Sequence, residues 1–306
     1  MDNAPVVVFA YNRKDKVERC LEALETNSEC NKTALYLFAD GAKSKKDEKE
    51  ATAVRDYIKK KYMPISKFMK VNLIESEYNK GLANSIIGGV TEVINQYGRA
   101  IVVEDDLVVA QDFLKYMNSA LDYYENIPQI GSISAYTVPI KALKRYKKDV
   151  YMLRKGECWG WATWKNRWQN VDWEVTTFET YKKNKNMRKE FASIGYGFDS
   201  MLCEYMEGSL DAWAVRWCYH LYTKGLLTVY PRVSRVINVG LDGTGTHCSG
   251  RTRRYFHMAI GSELMPVYEV QDINTKLERA TWNYEAGAIF SIERLQACIR
   301  RMFGSA

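Results

Sequence analysis

Residues 100–113 read AIVVEDDLVVAQDF, and the character of the chain changes between two neighbouring residues. Ile101, Val102 and Val103 are the β-branched residues of a buried strand, whereas Glu104, Asp105 and Asp106 are types that cores reject unless paired. One reading is a cap, with Asp105 or Asp106 closing the start of a helix. Three acids exceed what a cap needs, and the LVVA beyond them has extended rather than helical character. The other reading is a strand that delivers acids to a site. Alternate strand side chains face opposite ways, so Glu104 and Asp106 are expected on one side and Asp105 on the other. Such oxygens suit a hard divalent cation, Mg2+ or Mn2+, held by one or two carboxylates together with substrate phosphates. An EF-hand is excluded, because its spaced oxygens and its glycine are missing.

Outward from this strand the chain alternates. PVVVFAY (5–11), ALYLFAD (34–40) and KVNLIES (70–76) read as further strands, and 14–24, 44–62 and 82–96 have helical spacing. That order predicts an α/β fold with a mostly parallel central sheet flanked by helices. Ligands of such sheets bind beyond the carboxyl ends of the strands. Tyr11-Asn12-Arg13, Asp40-Gly41 and Glu104-Asp105-Asp106 all fall there. After Asp112 come a helix (113–124), a strand-like IGSISAY (130–136) and the Trp-dense ECWGWATWKNRW (157–168). A helical SLDAWAVRWCYHLYTKG (209–225), strands and turns over 226–240 and a glycine-rich LDGTGTHC (241–248) follow. No linker or repeat interrupts them. One domain is expected over 1–260, with a nucleotide-type half to about 115 and an acceptor half over 116–260, then an extension over 261–306. Its IERLQACIRRMF (292–303) reads either as a packed helix or as one lying on a membrane surface.

The 306 residues carry a formal charge of +7, in patches such as KSKKDEK (43–49), KALKRYKK (141–148), YKKNKNMRK (181–189) and RTRR (251–254). These read as solvated loops or as contacts for an anionic partner; no nucleic-acid signature accompanies them. Seven scattered cysteines without a CxxC pair point to reduced thiols rather than disulfides or zinc. No secretory signal and no apolar run of roughly 18–20 residues is present. A cytoplasmic protein is expected, with peripheral contact to the inner face of the membrane left open.

In their order, VVVFAYNR, FADG (38–41), NKGLANS (79–85) and VVEDDLVVAQDF resemble a GT-A (Rossmann-like) glycosyltransferase, specifically the inverting N-acetylglucosaminyltransferase I type and its bacterial relatives. CWGWATWKNRW, the acid–Trp helix at 211–213, the PRVSR of 231–235 and GTGTH (243–247) extend the similarity over about residues 4–250. The resemblance implies a UDP-sugar donor, Mn2+ or Mg2+, and a saccharide acceptor that could be lipid-diphosphate linked. Asp106 would be the metal ligand, Glu104 would face the donor sugar and Asp105 the ribose. Asp40 would accept from a uracil N–H, Tyr11, Asn12 and Arg13 would line base and ribose, and Lys80 would sit near the nucleotide with Asn79 and Gly81. His247 would touch diphosphate or metal, and Trp159, Trp161 and Trp164 would wall the sugar site. Asp211 would be the catalytic base; the family has two adjacent acids before that Trp, here Asp211-Ala212, so Asp199 and Glu204 stay open as alternatives.

Two other functions compete. A nucleotidyltransferase that makes sugar nucleotides would want a glycine-rich basic loop after the first strand, and AYNRKDK has no glycine. A non-catalytic glycan-binding protein on the same fold is the other.

Overall fold

The computed structural model describes residues 3–241 and 265–289. In chain order the elements are β1 (Val6–Ala10), α1 (Lys14–Glu25), β2 (Ala34–Ala39), α2 (Lys45–Tyr62), β3 (Lys70–Glu75), α3 (Leu82–Tyr97) and β4 (Arg99–Glu104). Next come β5 (Leu107–Val109), α4 (Phe113–Tyr124), β6 (Ile130–Ser134), β7 (Val150–Leu153), β8 (Trp161–Trp164) and α5 (Lys165–Trp168). Three short helices follow, α6 (Phe178–Lys183), α7 (Lys185–Ile194) and α8 (Phe198–Met206), and then α9 (Trp213–Thr223), β9 (Leu227–Pro231), β10 (Val236–Asn238) and α10 (Thr275–Ile289).

Eight strands form one mixed sheet in the order β3-β2-β1-β4-β8-β6-β9-β7, and β5 and β10 make a separate two-stranded ribbon. β1 to β4 are mutually parallel, as the strand–helix alternation predicts. β8 then runs antiparallel to both β4 and β6. The strand alternation sorts the core into two layers. Val6, Val8, Leu35, Leu37, Ile101 and Val103 face α1, α2 and α4. Val7, Phe9, Tyr36, Ala100 and Val102 face α3 and a cluster of indoles. Both faces are covered, which is why these strands read as unbroken apolar runs.

The indoles correct one expectation. Trp161 is fully buried and stacks 5.3 Å from Trp213, with Trp168 at 5.5 Å and Trp217 at 6.0 Å. Trp164 is buried too, beneath the Arg167 guanidinium. Both are core, placed by β8 in the middle of the sheet, and neither can wall a sugar. Trp159, half-buried edge-on to Tyr136, is the member of the expected trio that keeps an exposed surface. The basic stretch 181–189, read as loop, is helical: Asn184 caps α7 by accepting from the Asn186 and Met187 amides. His247, the RTRR run, Cys248, Cys298 and the amphipathic 292–303 lie outside the described residues. The five cysteines that are described form no disulfide with one another.

α3 is held close to the sheet by a glycine. A Cβ on Gly89 would lie 2.8 Å from the Phe9 ring and 3.1 Å from the Phe38 ring, whereas one on its exposed neighbour Gly88 would meet nothing within 4 Å. Gly88→Ala is therefore expected to raise stability by about 0.5–1 kcal/mol, the ordinary helix gain. Gly89→Ala should lower it, and chemical denaturation of the two variants reads the opposite signs.

Candidate active site

Three strand ends converge. β1 is flanked by β2 and β4, so Tyr11–Arg13, Asp40 and Glu104–Asp106, far apart in sequence, meet along one edge of the sheet. Arg13 opens α1, its carbonyl accepting from the Lys16 and Val17 amides, and this fixes where its side chain starts. Its guanidinium makes a short ion pair with Asp105 and a second, at 3.1 Å, with Asp106. Asp105 and Asp106 are almost fully buried.

The facing expected from strand alternation does not hold. The strand stops at Glu104, and Asp105 and Asp106 form a turn that leads out of the main sheet into β5. One guanidinium can then reach both aspartates. β10 lies antiparallel to β5 with Asn238 opposite Leu107, so residues 238–240 close on the acids from the far end of the chain. The Asn238 amide donates to Asp106 Oδ1 at 3.3 Å, and the Val239 N–H donates to the Asp106 carbonyl at 2.8 Å. A Cβ on Gly240 would sit 2.2 Å from Asp106 Oδ2, so only glycine fits there. Lys16 Nζ donates to the Val239 carbonyl at 3.0 Å and ties this segment back to α1. The sequence offered no signal for Asn238 or Gly240, because their importance comes from the ribbon.

The ribbon is pinned by a buried ion pair, Arg235 Nε to Asp112 Oδ2 at 2.9 Å. The guanidinium also lies over Tyr116. The DF and PRVSR motifs thus meet as two halves of one contact.

Burial and mutual repulsion dominate the electrostatics. Burial pushes the Glu104 carboxyl up to about 8, with Asp106 and Asp105 adding to the effect. Burial also lifts Asp105 to about 7, outweighing the attraction of Arg13. Glu104 feels Glu157 as well, a buried acid of the Trp-dense segment that is paired with Lys155 at 3.4 Å.

Asp40 has a structural duty. Its Oδ1 accepts from the amides of Gly41 and Lys80, both at 2.9 Å, and its Oδ2 accepts from Ser85 Oγ at 3.2 Å. Asn79 donates to the Gly41 carbonyl at 2.8 Å, and a Cβ on Gly41 would collide with the Tyr78 backbone. Asp40 therefore locks the 76–81 loop against the strand ends and leaves the exposed Lys80 side chain at the rim. Tyr11 Oη accepts from the Lys43 amide at 2.9 Å, and Asn12 lies half-buried beside it. Polar cavities of about 170 and 410 Å3 open on either side of this bracket, one lined by Asp40, Lys80 and Ser85, the other by Gly41, Lys45 and Arg55.

Asp211 is exposed, immediately before α9, and its Oδ2 lies 3.5 Å from where a Cβ on Gly81 would be. The structure thus brings it to the same loop as Lys80. Of the two alternatives, Asp199 is engaged by Arg188 at 2.8 and 2.9 Å and by Tyr181 Oη at 2.7 Å, which holds its carboxyl below the usual range. It is an anchor of the α6–α8 helices. Glu204 is exposed on α8.

Among the described residues no three His, Cys, Asp or Glu side chains are placed to enclose a metal alone. The donor set still suits a hard cation: buried carboxylates with raised proton affinity, beside a Gly240 backbone that approaches as closely as Asp106 allows. An ion here needs further oxygens from a bound ligand.

Because Glu104 and Asp105 hold protons in the fold that the unfolded chain would release, their contribution to stability is full below about pH 4 and falls as pH rises through 7 to 8. Thermal denaturation in EDTA should show this decline, and Glu104→Gln should flatten it.

A profile of the GNT-I family matches residues 1–196. No curated protein matches the chain. Among solved structures, residues 1–349 of S. aureus TarS in complex with UDP-GlcNAc align at 12% identity and a TM-score of 0.33, over 43% of this chain and 33% of that one. Mouse xyloside xylosyltransferase 1 in its apo form aligns at 8% identity and a TM-score of 0.39, over 73% and 83%. The chain thus spans about a third of the TarS fragment, and likenesses this slight carry no argument about substrate. The family match covers Tyr11–Arg13, Asp40, Lys80 and the three acids, and ends before Asp211 and His247. The chain belongs to the GNT-I family, the N-acetylglucosaminyltransferase I-type glycosyltransferases that its N-terminal motifs resemble.

Proposed function

We propose that this protein is a divalent-cation-dependent transferase that moves a hexosyl or N-acetylhexosaminyl group from a UDP-sugar to a saccharide hydroxyl with inversion. We place its role in surface polysaccharide or glycolipid synthesis. The observation that carries the reading is the meeting of Glu104–Asp106 with Tyr11–Arg13 and the Asp40–Lys80 bracket at the carboxyl ends of parallel strands. Three clustered acids cost stability there, and a divalent cation bound with its ligand would offset that cost.

In this reading Asp106 would hold Mn2+ or Mg2+, which when bound would supply positive charge toward the departing diphosphate. Glu104 meets the donor sugar and Asp105 the ribose. Arg13 already reaches two acids and is placed to swing toward phosphate. Tyr11, Asn12 and Asp40 face the nucleoside, and Trp159 offers an aromatic surface for sugar. The acceptor oxygen attacks the anomeric carbon as the bond to the β-phosphate oxygen breaks, and its proton passes to the Asp211 carboxylate. Inversion follows from a single in-line displacement. The Asp40 bracket holds Gly81 against Asp211, so base and donor loop are positioned together.

The deciding measurement is UDP release from a panel of UDP-sugars with Mn2+, alongside calorimetric nucleotide binding. Asp106→Ala should lose Mn2+-dependent UDP binding by at least tenfold; unchanged affinity removes Asp106 as the ligand. Asp211→Asn should bind donor normally and lose transfer by about 100-fold or more. Full activity in that variant moves the base elsewhere.

A further inference from the structure

The end of α2 and the loop that leads into β3 read KKKYMPISKFMK (59–70), twelve residues with five lysines and no acid. Two aromatics point inward and fix the loop: Tyr62 is 1% exposed and Phe68 5%. The apolar residues between them point outward, with Met63 50% exposed, Ile65 85% and Met69 58%. Such a display costs solubility unless something covers it, and here it sits on a turn anchored by two buried aromatics.

The charges around it are mostly positive. Lys59 pairs with Glu75 at 2.8 Å and Lys61 with Glu22 at 2.7 Å, and Glu25 lies beside the Lys67 amide. Counting those three acids against the five lysines still leaves the rim basic, with Lys60, Lys67 and Lys70 exposed around the three apolar tips. Apolar side chains that insert shallowly, ringed by lysines that reach acidic headgroups, fit an anionic lipid surface. A stretch of five lysines with no acid of its own favours an acidic lipid surface over a protein partner.

We infer that the 59–70 loop docks this protein on anionic membranes, with Met63, Ile65 and Met69 entering the interface and Lys60, Lys67 and Lys70 pairing with headgroups. The loop stands at the start of β3, and the acids stand at the end of the parallel β4. A docked molecule therefore turns its crevice away from the bilayer, toward an acceptor that extends from the surface.

The test is co-sedimentation of the full chain with vesicles of phosphatidylcholine containing about a third phosphatidylglycerol, and with phosphatidylcholine alone. Binding is expected on the anionic vesicles, reduced several-fold by raising salt from 0.05 to about 0.5 M. It should fall at least tenfold in the triple variant Met63→Ser, Ile65→Ser, Met69→Ser, and comparably in Lys60→Glu, Lys67→Glu, Lys70→Glu. All six positions are exposed, and unchanged circular dichroism and thermal midpoint confirm folding. Undiminished binding by the variants, or none by the parent, overturns the inference. So does a wild-type dimer in sedimentation equilibrium that the Ser variant abolishes, because a second copy would then cover the patch.

Discussion

Three carboxylates at the end of one buried strand are a standing electrostatic cost, and the fold around them is organised to contain it. Arg13 supplies the nearest positive charge, reaching Asp105 and Asp106 from the first turn of α1. That reach requires β1 beside β4, which the parallel pairing of Val6 to Ile101 through Phe9 to Glu104 provides. It also requires the chain to turn at Asp105–Asp106. The ribbon of β5 with β10 exists because of that turn, and it brings Asn238 and Gly240 onto Asp106. A cluster of like charges in low dielectric is tolerated where ligand binding repays it, which is where functional sites are found.

The same edge carries a second, mechanical constraint. Asp40 spends its carboxylate on the Gly41 and Lys80 amides and on Ser85, so the two loops beside it are tied together. Its carboxylate is thereby oriented, and any additional contact to a base would be made by oxygens already fixed in place. Gly81, in the same loop, lies close to the exposed Asp211. The loop that Asp40 holds and Asp211 thus come together from segments some 130 residues apart.

Much of this was legible in the sequence. The four parallel strands, their helices and the positions of Tyr11–Arg13, Asp40 and Glu104–Asp106 follow from apolar runs and their ends, because a strand covered on both faces leaves an unmistakable pattern. What periodicity could not show was the turn within the acids. Alternation assumes that a strand continues, and here it bends into another sheet after Glu104. The Trp-dense stretch misled for a related reason: tryptophan serves core and sugar contact equally, and only the central place of β8 decides that Trp161 and Trp164 are core. Asn238 and Gly240 stayed silent because nothing local marks a residue whose partner lies 130 positions away.

The sheet order has a consequence for what can fold alone. Residues 1–196, the span of the family match, include β6 and β7 but not β9, the strand that lies between them. Without β9, β7 has no ladder partner and the free edge of β6 is left unpaired. The partner of β5 would be missing as well, and Asp112 would be a buried carboxylate without its arginine. The recognisable part of this protein therefore leaves two ladders and a buried acid of its own fold incomplete. β9 and β10 supply those partners from far along the chain, so completing the sheet requires pairing across long sequence separations, which is intrinsically slow.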